Sequence, residues 1–354
     1  MLWDVFCRVV DHYGDVGVCW RLAADLASRG ETVRLWLDDA SALAWMAPRG
    51  APGVQLVAWH DATPIPDPGE VVLEAFGCHP PDAFVRRMQR AKAPLWIDLE
   101  YLSAEPYVER SHGLASPQQM GPGAGRVKWF FFPGFTPATG GLLREPGLLE
   151  RRAAFDRRAW LAAQGVDVAP HERVASLFCY DAAPVPRLLD ALAAGPPTLL
   201  LATAGAATQQ TRAALGATLA RGALRARAMP LLAQPEYDHL LWSAELNFVR
   251  GEDSFVRAQW AGAPFVWQIY PQADGAHAAK LEAFLALHLR QAPQPLSAEL
   301  RALWRAWNGL GRWPAQRAWP DAAQWQALCT RWREGLAARQ DLTTGLLRFA
   351  REKS

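Results

Sequence analysis

The sequence predicts an α/β protein with two domains, each built on a mainly parallel sheet. Its 354 residues exceed one average domain and suit two domains of roughly 150 to 170 residues. Hydrophobic residues make up 51% of the chain and charged residues 20%, which permits large cores and excludes general disorder. Short apolar segments alternate with segments of helical periodicity, the pattern of repeated βαβ units.

The first half of the chain opens with such a unit. A strand is predicted over 2–10, a helix over 16–28 that stops before Gly30, and a second strand over 32–37. The pattern continues with strands at 53–59, 70–75, 94–98 and 126–132, a helix at 81–90, and a loop rich in Pro and Gly at 116–125. A long irregular loop of this kind is typical of a functional or mobile segment.

A second α/β series follows an arginine-rich helix predicted over 148–164. Strands are predicted at 173–180, 197–202, 223–229, 246–249 and 264–270, with helices between them. Beyond residue 273 the pattern is helical, with helices at 276–289, 297–309, 320–338 and 341–351. We therefore predict a first domain over 1–165 and a second over 170–338.

Charge and cysteine content exclude several classes of protein. The chain carries 37 basic and 35 acidic residues, so it lacks the basic surface of a nucleic-acid-binding protein. The five cysteines are scattered and form no Cys-x-x-Cys pair, which disfavours a disulfide framework and a zinc site. The eight histidines show no paired spacing typical of metal ligands, and we expect no metal.

The sequence also predicts a protein without a leader or a membrane span. Asp4, Arg8, Asp11 and Asp15 interrupt the first twenty residues, where a signal peptide needs an uninterrupted apolar core. No apolar run approaches the length needed to cross a bilayer. We therefore expect a cytoplasmic protein that does not bind membranes.

A dense polar stretch, Arg250-Gly-Glu-Asp-Ser254, stands between two apolar strands in the second half. Gly251 lets the chain bend, and Asp253 and Ser254 are good N-cap residues for a helix predicted over about 255–261. The first N–H groups and the dipole of that helix favour a phosphate. Tyr270 ends the next strand, and ligands of parallel sheets lie at such ends. An isolated Glu-Asp-Ser triplet would more simply cap a helix, but the density of polar residues favours an anion site.

A second polar turn follows the first strand. Asp11 and Asp15 bracket Gly14 there, which directs both carboxylates to the carboxyl edge of the first sheet. From the residues alone, structural roles explain the two aspartates about as well as functional ones. Asp11 suits an Asx turn, and Asp15 suits an N-cap.

These two stretches, Asp11-His-Tyr-Gly-Asp15-Val-Gly-Val-Cys-Trp20 and the one that begins at Arg250, resemble the signatures of the EarP family. Its members are bacterial protein-arginine rhamnosyltransferases that modify translation elongation factor P. The resemblance implies two Rossmann-like domains in a glycosyltransferase-B arrangement. The first domain would bind the acceptor and the second the nucleotide sugar, and a C-terminal helix at about 339–354 would cross back to the first.

The reaction implied is the inverting transfer of L-rhamnose from dTDP-β-L-rhamnose to an arginine of elongation factor P, which activates that factor, without a metal or other cofactor. A guanidinium has a pKa above about 12, so it is a poor nucleophile until a carboxylate orients it and removes a proton. We predict that Asp15 is this general base and that Asp11 holds the guanidinium or positions Asp15.

The resemblance also implies a donor site in the second domain. We predict that Arg250, Ser254 and Tyr270 bind the diphosphate. Glu252 would contact sugar hydroxyls or steady the positive ring carbon, and Asp253 would cap the helix or hold the ribose. The remaining predicted substrate contacts are Phe178, Tyr180, Gln234 and Tyr237 around the thymine base, with Tyr13, Gly14 and Gly251 in the two signature loops.

Two other functions would also suit a two-domain α/β protein. A NAD-dependent oxidoreductase should show G-x-G-x-x-G after its first strand, whereas the chain has only Gly14 and Gly17 there, with the acidic Asp15 between them. A non-catalytic nucleotide-sugar-binding protein of the same fold would need no general base, so the combination of Asp15, Glu252 and Arg250 favours an enzyme.

Overall fold

The computed structural model describes residues 1–11, 13–60, 64–272, 275–314 and 319–353; His12 of the first signature lies outside them. Contacts divide the chain into two compact units, 1–146 with 336–354, and 147–335. The division falls before residues 148–164, which the sequence pattern places in the first domain. Trp160 and Leu161 explain the difference, since both belong to a core of the second unit.

The secondary structure alternates strands and helices along most of the chain. The strands are β1 (Leu2–Cys7), β2 (Thr32–Leu37), β3 (Val54–Ala58), β4 (Val71–Ala75), β5 (Leu95–Leu99), β6 (Ala115–Pro117), β7 (Val127–Phe131), β8 (Arg173–Leu177), β9 (Thr198–Ala202), β10 (Ala220–Arg221), β11 (Leu224–Ala228), β12 (Leu246–Arg250) and β13 (Phe265–Gln268). The helices are α1 (Gly14–Ser28), α2 (Leu43–Met46), α3 (Asp82–Arg87), α4 (Tyr107–Ser111), α5 (Leu148–Ala153), α6 (Arg157–Ala163), α7 (Val185–Ala193), α8 (Ala206–Leu215), α9 (Gln234–Ser243), α10 (Asp253–Ala261), α11 (Ala276–His288), α12 (Gln294–Trp307), α13 (Ala322–Ala337) and α14 (Leu342–Lys353).

The first unit is built on a seven-stranded sheet with the order β3-β2-β1-β4-β5-β7-β6. All neighbours are parallel except β6, which pairs antiparallel with β7 at the edge. Strands such as β4 and β5 are buried along their whole length, because helices cover both faces of a parallel sheet. The chain runs outward from β1 in one direction and from β4 in the other, so the switch point of the topology lies between these two strands.

The last helix belongs to this first unit, as the resemblance implies. Leu342 and Leu346 of α14 lie in the same apolar core as Leu22 and Leu26 of α1. An ion pair closes the contact, since Arg29 at the end of α1 reaches Asp341 at 2.8 Å and Asp25 at 2.9 Å. Burial of the apolar face of α14 therefore ties the end of the chain to its beginning.

The second unit has a six-stranded sheet with the order β10-β11-β9-β8-β12-β13. Its neighbours are parallel except for the short edge strand β10. Here the chain runs from β8 outward through β9 and β11, and from β12 outward to β13. The switch point therefore lies between β8 and β12, where ligands of open α/β sheets bind.

Helices α11 to α13 enclose an aromatic cluster against β13. The His288 ring lies 5.3 Å from Phe284, 5.4 Å from Phe265 and 5.0 Å from Trp332, between ring centroids. Among the described residues, neither ring nitrogen of His288 has a hydrogen-bond partner. Burial lowers the pKa of His288 from 6.5 to about 3, because the charged form loses its hydration.

Several local predictions were wrong, among them the strand predicted over 264–270, which ends at Gln268 and not at Tyr270. The helix predicted over 148–164 is two helices, α5 and α6, because the Asp156 side chain accepts a hydrogen bond from Ala159 N at 2.9 Å and starts a new helix. The loop predicted over 116–125 begins inside strand β6. Helix α10 begins at Asp253, before the predicted start. In the described residues, no helix combines the length and the apolarity required to span a bilayer.

Candidate active site

Asp15 lies in the first turn of α1, close to the carboxyl end of β1. Its side chain is almost fully buried, with 4% of the residue exposed. One carboxylate oxygen, Oδ2, accepts hydrogen bonds from the backbone N–H groups of Val10 and Asp11, both at 2.9 Å. The N-cap residue of α1 is Tyr13, which makes no side-chain capping bond. Asp15 therefore holds the loop before the helix and is not the N-cap that the residues alone also allowed.

The surroundings of Asp15 make its carboxyl group harder to ionise. Burial raises its pKa from 3.8 to about 6, with smaller contributions from the charges of Asp11 and Asp38, while the two backbone hydrogen bonds act in the opposite direction. A pKa near the working pH is what a general base needs, because the group is then ionised and still accepts a proton readily.

Asp11 and Gly14 fit closely together. The Asp11 carbonyl accepts a hydrogen bond from Gly14 N at 2.9 Å, which closes the turn. A Cβ atom added at Gly14 would lie 2.6 Å from Asp11 Oδ2. Glycine at this position therefore leaves room for the Asp11 carboxylate. Tyr13, in the same turn, packs its ring against Trp45 with centroids 5.2 Å apart.

Gly14→Ala tests this arrangement. We expect the added methyl group to push the Asp11 carboxylate aside with little loss of stability, since the clash is with the end of a side chain and alanine favours the helix. A displacement of about 1 Å in a reactive group can cost on the order of 100-fold in rate, so transfer to the acceptor should fall 10- to 100-fold. Gly335→Ala is the control, because a Cβ there meets nothing within 4 Å. Equal rates in the two variants would remove Asp11 from the site.

The turn between β12 and α10 is fixed by backbone contacts. Gly251 has a φ of +61°, which favours glycine. Its N–H donates to the Gln268 carbonyl at 3.1 Å, and Trp267 Nε1 donates to its carbonyl at 2.7 Å. These bonds hold the turn against the neighbouring strand β13.

The side chains in the first turn of α10 differ from the prediction that Asp253 and Ser254 cap the helix. The N-cap residue is Glu252, and its side chain makes no capping bond. Ser254 Oγ accepts a hydrogen bond from Arg250 N at 3.0 Å and donates one to the Arg250 carbonyl. The serine hydroxyl thus closes the turn onto the end of β12.

Aromatic side chains surround Arg250 at the switch point of the second sheet. Its guanidinium lies over the rings of Phe178 and Tyr180, 4.5 and 4.3 Å from their centroids. Tyr180 also contacts Tyr270 edge to face at 5.5 Å, and Phe178 contacts Tyr237 at 5.7 Å. Residues predicted from distant parts of the chain thus form one cluster, in which Arg250 covers a face of two of the rings predicted to bind the base, Phe178 and Tyr180.

Gln268, for which no role was predicted, positions this cluster. Its Oε1 accepts a hydrogen bond from Tyr180 N at 2.8 Å in a buried environment. Arg257 and Asp238 were missed as well; their buried ion pair, with bonds of 2.8 and 2.7 Å, joins α10 to α9. Helix α9 carries Gln234, which donates to Asp253 Oδ2 at 3.4 Å. For Gln268 the available signal was a polar side chain in an otherwise apolar strand.

No metal-binding cluster is found in the described part of the chain, where no three or more His, Cys, Asp or Glu side chains could hold an ion together. Each unit carries its own group of candidate residues: Asp11 and Asp15 in the first unit, and the cluster around Arg250 in the second.

Comparison with known proteins points to one family. The sequence model of the elongation factor P rhamnosyltransferase EarP matches residues 3–351. A protein-arginine rhamnosyltransferase of Pseudomonas putida is 46% identical over 378 aligned positions, which cover 99% of this chain and 98% of that protein.

Solved structures agree with this result. A structure described as the basis for EarP-mediated arginine glycosylation of translation elongation factor EF-P superposes with a TM-score of 0.70 at 35% identity, covering 100% of this chain and 99% of the other. The glycosyltransferase of kitacinnamycin superposes with a TM-score of 0.54 at 15% identity, covering 99% and 98%, a likeness of fold alone. The two Rossmann-like units are thus those of the glycosyltransferase-B fold, and the chain belongs to the EarP family of elongation factor P rhamnosyltransferases.

Proposed function

We propose that this protein transfers L-rhamnose from dTDP-β-L-rhamnose to an arginine side chain of translation elongation factor P, with inversion at the sugar carbon and without a metal. The observation that carries the proposal is the buried carboxylate of Asp15, whose pKa of about 6 suits a general base. Membership of the family supports the acceptor. Because that acceptor is a translation factor, we expect the reaction to take place in the cytoplasm.

In the proposed reaction the acceptor guanidinium loses one proton to Asp15 as one of its nitrogens attacks the anomeric carbon of rhamnose. The new carbon–nitrogen bond forms as the bond from that carbon to the diphosphate oxygen breaks, and dTDP leaves with the electron pair. Asp11 would hold the guanidinium or keep Asp15 oriented. The carboxylate of Asp15 remains ionised at neutral pH, since its pKa lies below 7, and it is ready to accept the proton.

The second unit would bind the donor. Helix α10 presents its first N–H groups at the switch point of the sheet, which favours a diphosphate there. Arg250 would supply the positive charge that the departing dTDP needs without a metal. Glu252 would face the sugar, and Asp253 the ribose. Tyr270 completes the proposed diphosphate contacts, and Gln234 and Tyr237 line the proposed base site.

Arg250 makes the donor site testable. We expect Arg250→Ala to weaken binding of dTDP-rhamnose by 10- to 100-fold, because hydrogen bonds from a charged donor contribute about 1.5–3 kcal/mol. Isothermal titration calorimetry with dTDP-rhamnose measures the change. Arg187→Ala, at an exposed position in α7 of the same unit, should bind like the wild type. An unchanged dissociation constant for Arg250→Ala would remove this residue from the diphosphate site.

The proposed function as a whole is tested by turnover. The protein is incubated with dTDP-rhamnose and elongation factor P, and the intact mass and peptides of the acceptor are measured. We expect the mass of one deoxyhexose on a single arginine. An unmodified acceptor, with a protein that still binds dTDP in calorimetry, would favour the non-catalytic nucleotide-sugar-binding protein.

A further inference from the structure

A stacked aromatic pair lies at the carboxyl edge of the first sheet. Phe76 follows the last residue of β4, and Tyr101 follows β5 by two residues. Their rings stack with centroids 4.5 Å apart and planes inclined by 14°. Tyr101 is 38% exposed, while Phe76 packs against the core. Phe76 therefore supports a tyrosine ring that is accessible from solvent.

The backbone of Phe76 is strained. Its φ is +61° and that of Gly77 is +70°, a conformation that costs free energy for a bulky side chain and concentrates at functional sites. A hydrogen bond from Phe76 N to the Leu99 carbonyl at 2.8 Å holds the turn against the end of β5. The strained turn thus fixes the Phe76 ring beneath Tyr101.

This pair and the two carboxylates belong to the same edge of the sheet. In the strand register, Cys7 at the end of β1 lies beside Ala75 at the end of β4, and Ala75 lies beside Leu99 at the end of β5. Adjacent strands are about 4.8 Å apart. Asp11 and Asp15 follow β1, so the aromatic pair and the carboxylates flank the switch point between β1 and β4.

We propose that Tyr101, supported by Phe76, is a specificity-determining residue that stacks on the guanidinium of the acceptor arginine. This inference rests on the proposed function and adds a residue for which no role was predicted. A guanidinium offers its flat face to an aromatic ring and its N–H edge to carboxylates. The two contacts use different directions, so Tyr101 holds the plane of the group while Asp11 and Asp15 receive its edge. A lysine ammonium has no such plane, and the site would select arginine.

A double-mutant cycle tests the contact. The enzyme variants are Tyr101→Leu, which removes the ring, and Tyr101→Phe, which keeps it. Each is titrated by calorimetry with elongation factor P and with the same factor carrying alanine at the modified arginine. We expect Tyr101→Leu to weaken binding of the arginine form about fivefold and to leave the alanine form unchanged. Tyr101→Phe should match the wild type with both, and the affinity of every variant for dTDP-rhamnose should be unchanged.

A purely structural role for Tyr101 would weaken both acceptor forms equally, and an absent role would weaken neither; each result overturns the inference. Steady-state kinetics give a second readout, in which Tyr101→Leu raises the KM for the acceptor more than it lowers kcat. If the wild-type protein modifies elongation factor P but the cycle shows no coupling at Tyr101, this inference alone is refuted. Wild-type protein that neither binds nor modifies the factor refutes the proposed function and this inference with it.

Discussion

Asp15→Asn should abolish rhamnose transfer and leave the affinity for dTDP-rhamnose close to that of the wild type. The amide can still accept hydrogen bonds from Val10 and Asp11, which Asp15 Oδ2 accepts at 2.9 Å, so the loop should keep its shape. It cannot take a proton from the guanidinium. Because general-base catalysis contributes about 100- to 10,000-fold, we expect a loss in kcat of at least 100-fold in an assay with elongation factor P.

The same substitution should not destabilise the fold at neutral pH. The folded-state pKa of Asp15 is raised from 3.8 to about 6, so its protonated form contributes stability that is complete below 3.8 and is lost as the pH rises through 6. At pH 7.5 the ionised carboxylate makes folding less favourable by up to about 3 kcal/mol. Asparagine removes this charge, and urea unfolding at pH 7.5 should show equal or greater stability.

The pH dependence of transfer gives an independent measurement. The acid limb of kcat/KM should follow the ionisation of Asp15 and fall with an apparent pKa of about 6. Asp38→Asn is the control. It removes the charge of an exposed carboxylate, and that charge raises the pKa of Asp15. The Asp38 side chain also accepts a hydrogen bond from Val9 N. This variant should remain active, with the acid limb of kcat/KM shifted to lower pH. Near wild-type turnover by Asp15→Asn would show that another group is the base.

The main features of the fold could be predicted because they repeat along the chain. Parallel strands buried on both faces appear as short apolar runs, as in β4 and β9, and helical periodicity separates them. The edge strand β6 and the break between α5 and α6 were harder to predict. Strand β6 contains Pro117 and lies in a loop rich in Pro and Gly, so its composition indicated a loop. The helix predicted over 148–164 kept its periodicity across Asp156, where a side-chain cap starts a second helix.

Candidate site residues that stand together in one turn of the chain could be predicted. Contacts between segments that are far apart in sequence could not. Asp15 and Ser254 stand in recognisable turns, whereas the contact of Arg250 with Phe178 and Tyr180 depends on β8 and β12 being neighbours. The strained turn at Phe76 was missed because a positive φ in a phenylalanine has no sequence pattern. Gln268 is similar: its amide bonds the backbone of Tyr180, far away in sequence.

His288 should make the second unit lose stability as the pH falls below about 6.5. Its pKa is lowered to about 3 in the folded state from 6.5 in the unfolded state. Between pH 3 and pH 6.5, a proton therefore binds His288 more strongly in the unfolded chain than in the folded protein. Its stabilising effect is thus complete above 6.5 and is lost as the pH falls towards 3. The slope is about 1.4 kcal/mol per pH unit for one group, which amounts to about 2 kcal/mol between pH 6.5 and pH 5.

His288→Leu should remove this slope, since an apolar side chain fits the aromatic surroundings and takes up no proton. Urea unfolding followed by tryptophan fluorescence, to which Trp304 and Trp332 at 6.2 and 5.0 Å from the His288 ring contribute, measures stability at pH 7.5 and pH 5. We expect the leucine variant to be about 2 kcal/mol more stable than the wild type at pH 5, relative to their difference at pH 7.5.

His171→Asn is the control, because it removes an exposed imidazole at a φ of +64°, which asparagine tolerates, and it should keep the wild-type slope. Parallel pH profiles for wild type and His288→Leu would show that His288 is protonated or hydrated in the folded protein. The effect of acid on stability through His288 can also be separated from its effect on transfer through Asp15. In the His288→Leu protein the second unit should stay folded through pH 5, so any loss of transfer near pH 6 in that background reports the ionisation of Asp15 and not unfolding.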